Sequence, residues 1–197
     1  SKKLVFFDSH IHLADNNYKP FMDQIELYLE INEVILFAVS MNIDSSKDTI
    51  NLTEKINNTI SFVGIHPQYS KTEDVDYFAE FAINPRNKFD GIGEIGLDQK
   101  YANMKNDYDV QLHVFNKQLE LAEKLEKPVS IHSRNSLDDV LQILPSYNIP
   151  NVMLHWFSGN ELQLKTAMDF GHFISFGPTL VYSKKTRTIA LLAQQDL

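Results

Sequence analysis

Cysteine is absent from the 197-residue chain. That excludes disulfides, zinc–thiolate centres and thiol nucleophiles, and it agrees with a cytoplasmic location. No apolar run approaches the roughly 18 residues a membrane-spanning helix needs, so no membrane partner is expected. The apolar stretch Leu4-Val5-Phe6-Phe7 ends at Asp8, too short for a secretory leader, so none is expected. Positive charge is also scarce: 18 Lys and Arg against 26 Asp and Glu give a net charge of −8. An acidic chain disfavours a basic stripe along duplex nucleic acid, but leaves room for a small site that meets phosphate through cations. There is no Gly-rich phosphate loop ending in Lys-Ser/Thr and no Gly-x-Ser-x-Gly elbow. Gly91-x-Gly93-x-x-Gly96 fits a dinucleotide fingerprint only formally, because it lies inside a strand rather than opening a helix.

What is present is an alternation of short apolar runs with helix-like segments. Strands are expected at Leu4–Asp8, Val34–Ser40, Ser61–His66, Gly91–Gly96, Val129–His132, Asn151–His155 and His172–Phe176. They read as continuous apolar runs, the pattern of parallel strands covered on both faces. Between them, Ser46 is expected to cap a helix carrying Ile50 and Ile56, and Val75, Phe78, Phe81 and Ala82 sit at helical spacing. Residues 108–126 form the clearest helix, with Leu112, Phe115, Leu119, Ala122 and Leu125 on one stripe. Ser136 is expected to cap a further helix with Leu137, Val140, Leu141 and Leu144 on its inner side. The expected fold is α/β: a TIM-type (β/α) barrel of parallel strands forming one domain over residues 1–197, with seven strands present and the eighth missing. The missing strand would leave an edge to be covered.

Five of the seven histidines fall at the C-terminal ends of expected strands, where barrels of this kind build their active sites. His113 and His172 do not, and receive no role. In His10-Ile11-His12, side chains two apart in extended backbone share a face, so both imidazoles can reach one metal ion. The competing reading is two unrelated loop histidines. Glu94, inside an apolar Gly-rich strand, is costly to bury alone and suits a carboxylate bridging two cations; a salt bridge to Arg134 is the alternative. His132 and His155 end successive strands and suit a second metal position. Arg134 suits an anionic oxygen, unless it is merely a surface or Glu-paired arginine. His66, beside Pro67, is either a substrate or water contact or a rigidified loop residue. Asp98 either caps a loop or supports a histidine.

Together Phe7-Asp8-Ser9-His10-Ile11-His12-Leu13, Gly64-Ile65-His66-Pro67, Gly91-Ile92-Gly93-Glu94-Ile95-Gly96-Leu97-Asp98, Gln118-Leu119-Glu120-Leu121-Ala122, Pro128-Val129-Ser130-Ile131-His132-Ser133-Arg134 and His155-Trp156-Phe157-Ser158-Gly159 resemble, in order, the TatD family of metal-dependent deoxyribonucleases. The resemblance implies an amidohydrolase-like barrel holding two divalent ions (Zn, Mg or Mn). His10 and His12 would hold one, His132 and His155 the other, with Glu94 bridging. It implies cleavage of phosphodiester bonds in DNA, often from an end; short or single-stranded ends are the expected substrate, and Glu94, His66 and Arg134 the expected catalytic group. Trp156 stands where the family usually has Cys. A further metal-binding Asp, usual in a Thr-Asp-Ser-Pro-like segment of the eighth strand, is expected to be lacking; Asp196 comes too early to replace it. Weaker metal binding and slow turnover are the expected result. Two other readings remain open: a metal-dependent ester or amide hydrolase such as an aminoacyl-ester deacylase, and a catalytically weak barrel fragment that binds metal or nucleic acid. Oligomeric state is left open.

Overall fold

The computed structural model describes residues 5–104 and 107–194. Leu4 and Asp196 lie outside the described residues. All seven expected strands are found: β1 (Phe6–Ile11), β2 (Val34–Ala38), β3 (Thr59–Val63), β4 (Gly91–Asp98), β5 (Val129–Arg134), β6 (Val152–Leu154) and β7 (Phe173–Ile174). They form one parallel sheet in the order β1-β2-β3-β4-β5-β6-β7, curled as part of a (β/α) barrel. Among the described residues, β1 and β7 do not pair with each other.

Helices fill the connections: α1 (Met22–Asn32), α2 (Ile43–Thr53), α3 (Asp74–Ile83), α4 (Gln99–Ala102), α5 (Tyr108–Lys124), α6 (Leu137–Ile143), α7 (Glu161–Asp169), α8 (Thr179–Tyr182) and α9 (Lys184–Gln194). Two caps differ from expectation. Asn42, not Ser46, caps α2: its side chain accepts from Ser45 N–H while Ser45 Oγ accepts from Asn42 N–H, a reciprocal capping box. Ser46 lies one turn in and donates to the Asn42 carbonyl at 2.8 Å. Ser136 occupies the cap position of α6 but makes no cap bond; its Oγ donates to the Leu97 carbonyl at 2.7 Å, tying α6 to β4. Ile56 is buried but lies beyond α2.

The main core packs Ile92, Ile95, Leu97 and Ile131 of the central strands against Phe115, Leu119 and Ala122 of α5 and Val140 of α6. A separate, smaller cluster of Leu13, Leu29, Leu36, Ala38 and Ile56 lies beneath β1 and β2. Two polar residues sit on the buried face of α5, where an apolar stripe was expected. Gln118 accepts from Ile65 N–H at 2.7 Å and donates to the Ile65 carbonyl at 3.0 Å. Gln111 does the same for Asp98, at 2.7 and 3.0 Å. Each amide completes the pairing of a strand-end backbone that would otherwise be buried unsatisfied. The residues they hold are Asp98 itself and the neighbour of His66.

Candidate metal centre

β1 and β4 each carry a register irregularity at their ligand-bearing residues, between Asp8 and Ile11 and between Gly93 and Ile95. A bulge bends a strand and re-aims its side chains. Here the bulges turn His10 and Glu94 into the mouth at the C-terminal end of the sheet. Gly96, at φ 143°, lets β4 pass so close to His132 that any Cβ would strike the His132 carbonyl.

Glu94, 3% exposed, is the hub. Its Oε2 lies 3.2 Å from His10 Nε2 and 3.3 Å from His12 Nε2, and those two nitrogens are 3.3 Å apart. Its Oε1 lies 3.0 Å from His132 Nδ1 and 3.8 Å from His66 Nε2. Burial alone would raise the Glu94 carboxyl, but the bonds from His10, His12 and His132 outweigh it and hold the group well below the usual carboxylate range. The alternative of a Glu94–Arg134 salt bridge is not what is found. Arg134 pairs with Asp98, Nε to Oδ2 at 2.8 Å, and its guanidinium lies 4.7 Å over the Tyr101 ring.

Asp98 performs both of its candidate roles. Oδ1 accepts from Lys100 and Tyr101 N–H, capping α4. Oδ2 also meets His132 Nε2 at 2.7 Å. Burial opposes its ionisation, yet the bonds from His132 and Arg134 bring it down to about 2. For His132, burial works against the proton, but Asp98 and Glu94 raise it to about 9. Charged, the ring donates from Nε2 to Asp98 and from Nδ1 to Glu94; with a cation at Nδ1 the Asp98 contact would keep the remaining proton on Nε2, the arrangement by which a carboxylate orients a metal-binding imidazole.

His66 differs. Its Nδ1 accepts from Gln68 N–H at 3.1 Å, which assigns the ring proton to Nε2. Burial pushes it to about 3, so it is neutral and presents an N–H donor toward Glu94. His155, also pushed to about 3 by burial and then by His10, stacks on the His10 ring with centroids 3.3 Å apart. It shares the cleft, but it is not part of either tight group of potential ligands, His10–His12–Glu94 and His66–Glu94–His132. Its Nδ1 is buried without a partner, as is His12 Nδ1. His113 sits within α5 and His172 stacks on Phe170, both outside the cleft.

The donor set fits a cation. Four ligands at 2.0–2.1 Å around a tetrahedral ion are separated by about 3.3 Å. The His10, His12 and Glu94 donor atoms form a triangle with sides of 3.2, 3.3 and 3.3 Å. The surrounding cleft, about 770 Å³, brings together His10, His12, His66, Glu94, His132 and His155, with Tyr101, Arg134 and Trp156 on its walls. Tyr101 and Trp156 were not anticipated as parts of the site; their signal was position, just past the C-terminal ends of β4 and β6.

The family described as TatD related DNase matches residues 7–197. The chain belongs to this family. As a TatD-family protein it is a metal-dependent hydrolase. It is 28% identical to the human protein named deoxyribonuclease TATDN3, over 89% of this chain and 69% of that one. It is 27% identical to an uncharacterized metal-dependent hydrolase of Haemophilus influenzae, over 98% of this chain and 77% of that one. In fold it is similar to the crystal structure of YJJV, a TatD homologue from Escherichia coli, with TM-score 0.81, 23% identity, and 93% and 73% of the two chains covered. It is equally similar to a TatD-family hydrolase of Entamoeba histolytica, with TM-score 0.81, 22% identity, and 96% and 70% covered.

Proposed function

We propose that this TatD-family protein hydrolyses phosphodiester bonds of DNA, acting on short or single-stranded ends with two divalent cations. The observation that carries the reading is the buried Glu94 carboxylate with histidines on both of its oxygens. His10 and His12 would hold one ion at Glu94 Oε2. His132, through Nδ1, and His155 would hold the other, with Glu94 bridging. Divalent cations there supply Lewis acidity that draws charge from a phosphoryl oxygen and acidifies water.

The chain's own groups do the rest. Arg134, fixed by Asp98 and Tyr101, offers a planar fork for a phosphate oxygen. Neutral His66 offers its Nε2–H as a hydrogen-bond donor to an oxygen in the cleft, keeping its proton. Asp98 keeps the His132 proton on Nε2 while Nδ1 engages the site. The acidic net charge of −8 favours short strands and ends over extended duplex. The relative named a deoxyribonuclease supports DNA as the substrate class.

The test is cleavage of a short oligodeoxynucleotide with Mg²⁺, Mn²⁺ or Zn²⁺, with and without chelator. We expect cleavage that chelation abolishes and that His132→Ala lowers by at least about a hundredfold. Cleavage that survives chelation, or is unchanged in His132→Ala, overturns the reading.

A further inference from the structure

Trp156 is the chain's sole tryptophan. It follows His155 at the end of β6, lines the metal cleft and is 56% exposed. A bulky residue rarely adopts its left-handed backbone, φ 46°. The surroundings enforce it: Trp156 N–H donates to Ser175 Oγ at 3.1 Å, and Phe157 N–H to the Ser175 carbonyl at 2.8 Å. The indole stacks on His155, centroids 5.0 Å apart and planes at 28°. It also packs against Gly177, where a Cβ would come within 2.6 Å of ring carbon Cδ2. An aromatic ring is thus held at a fixed place on the cleft wall while much of its surface faces water, a disposition that suits ligand contact better than core packing.

The charge lining the cleft sharpens the point. Among its described residues Arg134 is the one Arg or Lys, against Asp8, Asp15 and Glu94. Side-chain charge therefore gives a polyanionic strand little hold beyond what the cations supply. Stacking is the other general source of affinity for single strands, because every base has a π-face.

We propose that the Trp156 indole is the platform on which a nucleobase beside the scissile phosphate stacks. The preferred substrate is then a strand whose terminal bases are unpaired and accessible. This rests on the phosphodiester reading above.

Two measurements test it. In the first, tryptophan emission reports on this residue alone. With Mg²⁺ present, a phosphorothioate-linked thymidine tetranucleotide should change the emission saturably, and an abasic tetranucleotide should not. Equal responses, or none to either, overturn the proposal. In the second, Trp156→Ala should raise KM for a short thymidine oligonucleotide about tenfold, equivalent to about 1.4 kcal/mol, with kcat within about twofold. Trp156→Phe should recover most of the loss, and Gly177→Ala, which displaces the ring, should shift KM in the same direction. An unchanged KM, or a kcat loss that Trp156→Phe does not repair, overturns it. Should the wild type cleave no phosphodiester with any of the three metals, the functional reading fails, while the emission titration still decides whether Trp156 stacks bases.

Discussion

β4 and β1 both deliver ligands to the same cleft, yet they are built differently. All eight residues of β4 are buried, between β3 and β5 and under α5. In β1, Phe6 and Phe7 are 57% and 61% exposed, the strand pairs, among the described residues, with β2 alone, and its support is the small cluster around Leu13, Leu29 and Leu36. Glu94, Asp98 and His132 therefore stand on a rigid centre, while His10 and His12 stand on a lightly packed flank. A cation at His10, His12 and Glu94 would join the two, so metal occupancy and the order of β1 should depend on each other.

The contrast can be broken by measurement. The largest effect is expected in the core: Phe115→Ala, fully buried under β4, should cost about 4 kcal/mol in urea unfolding. Phe7→Ala on the flank should cost under about 1 kcal/mol. Similar values would mean that β1 is packed as firmly as the centre. Next, Gln111→Met should cost about 2–3 kcal/mol, because the Asp98 N–H and carbonyl lose their partners in a dry site. A neutral result would show that the amide clamp is redundant. Mn²⁺ at about a hundred times its Kd should then add about 2.7 kcal/mol of stability. Hydrogen exchange should slow more in β1 than in β5; uniform slowing would deny the coupling.

The smallest effect concerns pH in metal-free protein. His132 is raised from 6.5 to about 9, so its contribution is complete below pH 6.5 and disappears as pH rises through about 9. Asp98 is lowered from 3.8 to about 2, so its contribution is complete above pH 3.8 and disappears as pH falls through about 2. The alkaline loss should be missing in His132→Gln.

Much of this was legible in the sequence because parallel strands announce themselves as apolar runs. All seven were found in order, and the histidines and Glu94 that end or interrupt them meet in one cleft. β1 was expected to stop at Asp8 but continues to Ile11, because Asp8, Ser9 and His10 interrupt the apolar run although Ser9, His10 and Ile11 are half-buried. Ser46 and Ser136 were misread because a hydroxyl near a helix start can bond backwards or sideways as easily as cap. Gln111 was passed over, and Gln118 was named only within the family motif and given no role, because a stripe read for apolar residues skips polar ones. Two amides amid Val114, Phe115, Leu119 and Ala122 were the available signal.

The pair of glutamines has a genetic consequence. They stand seven residues apart on α5, close to two helical turns, and each grips a different strand end. A single inserted or deleted residue between them would rotate one amide by about 100° relative to the other and release either the neighbour of His66 or Asp98. The exposed positions between them, His113 and Lys117, should therefore accept substitution far more readily than the interval accepts any change in length, although none of residues 111–118 lines the cleft.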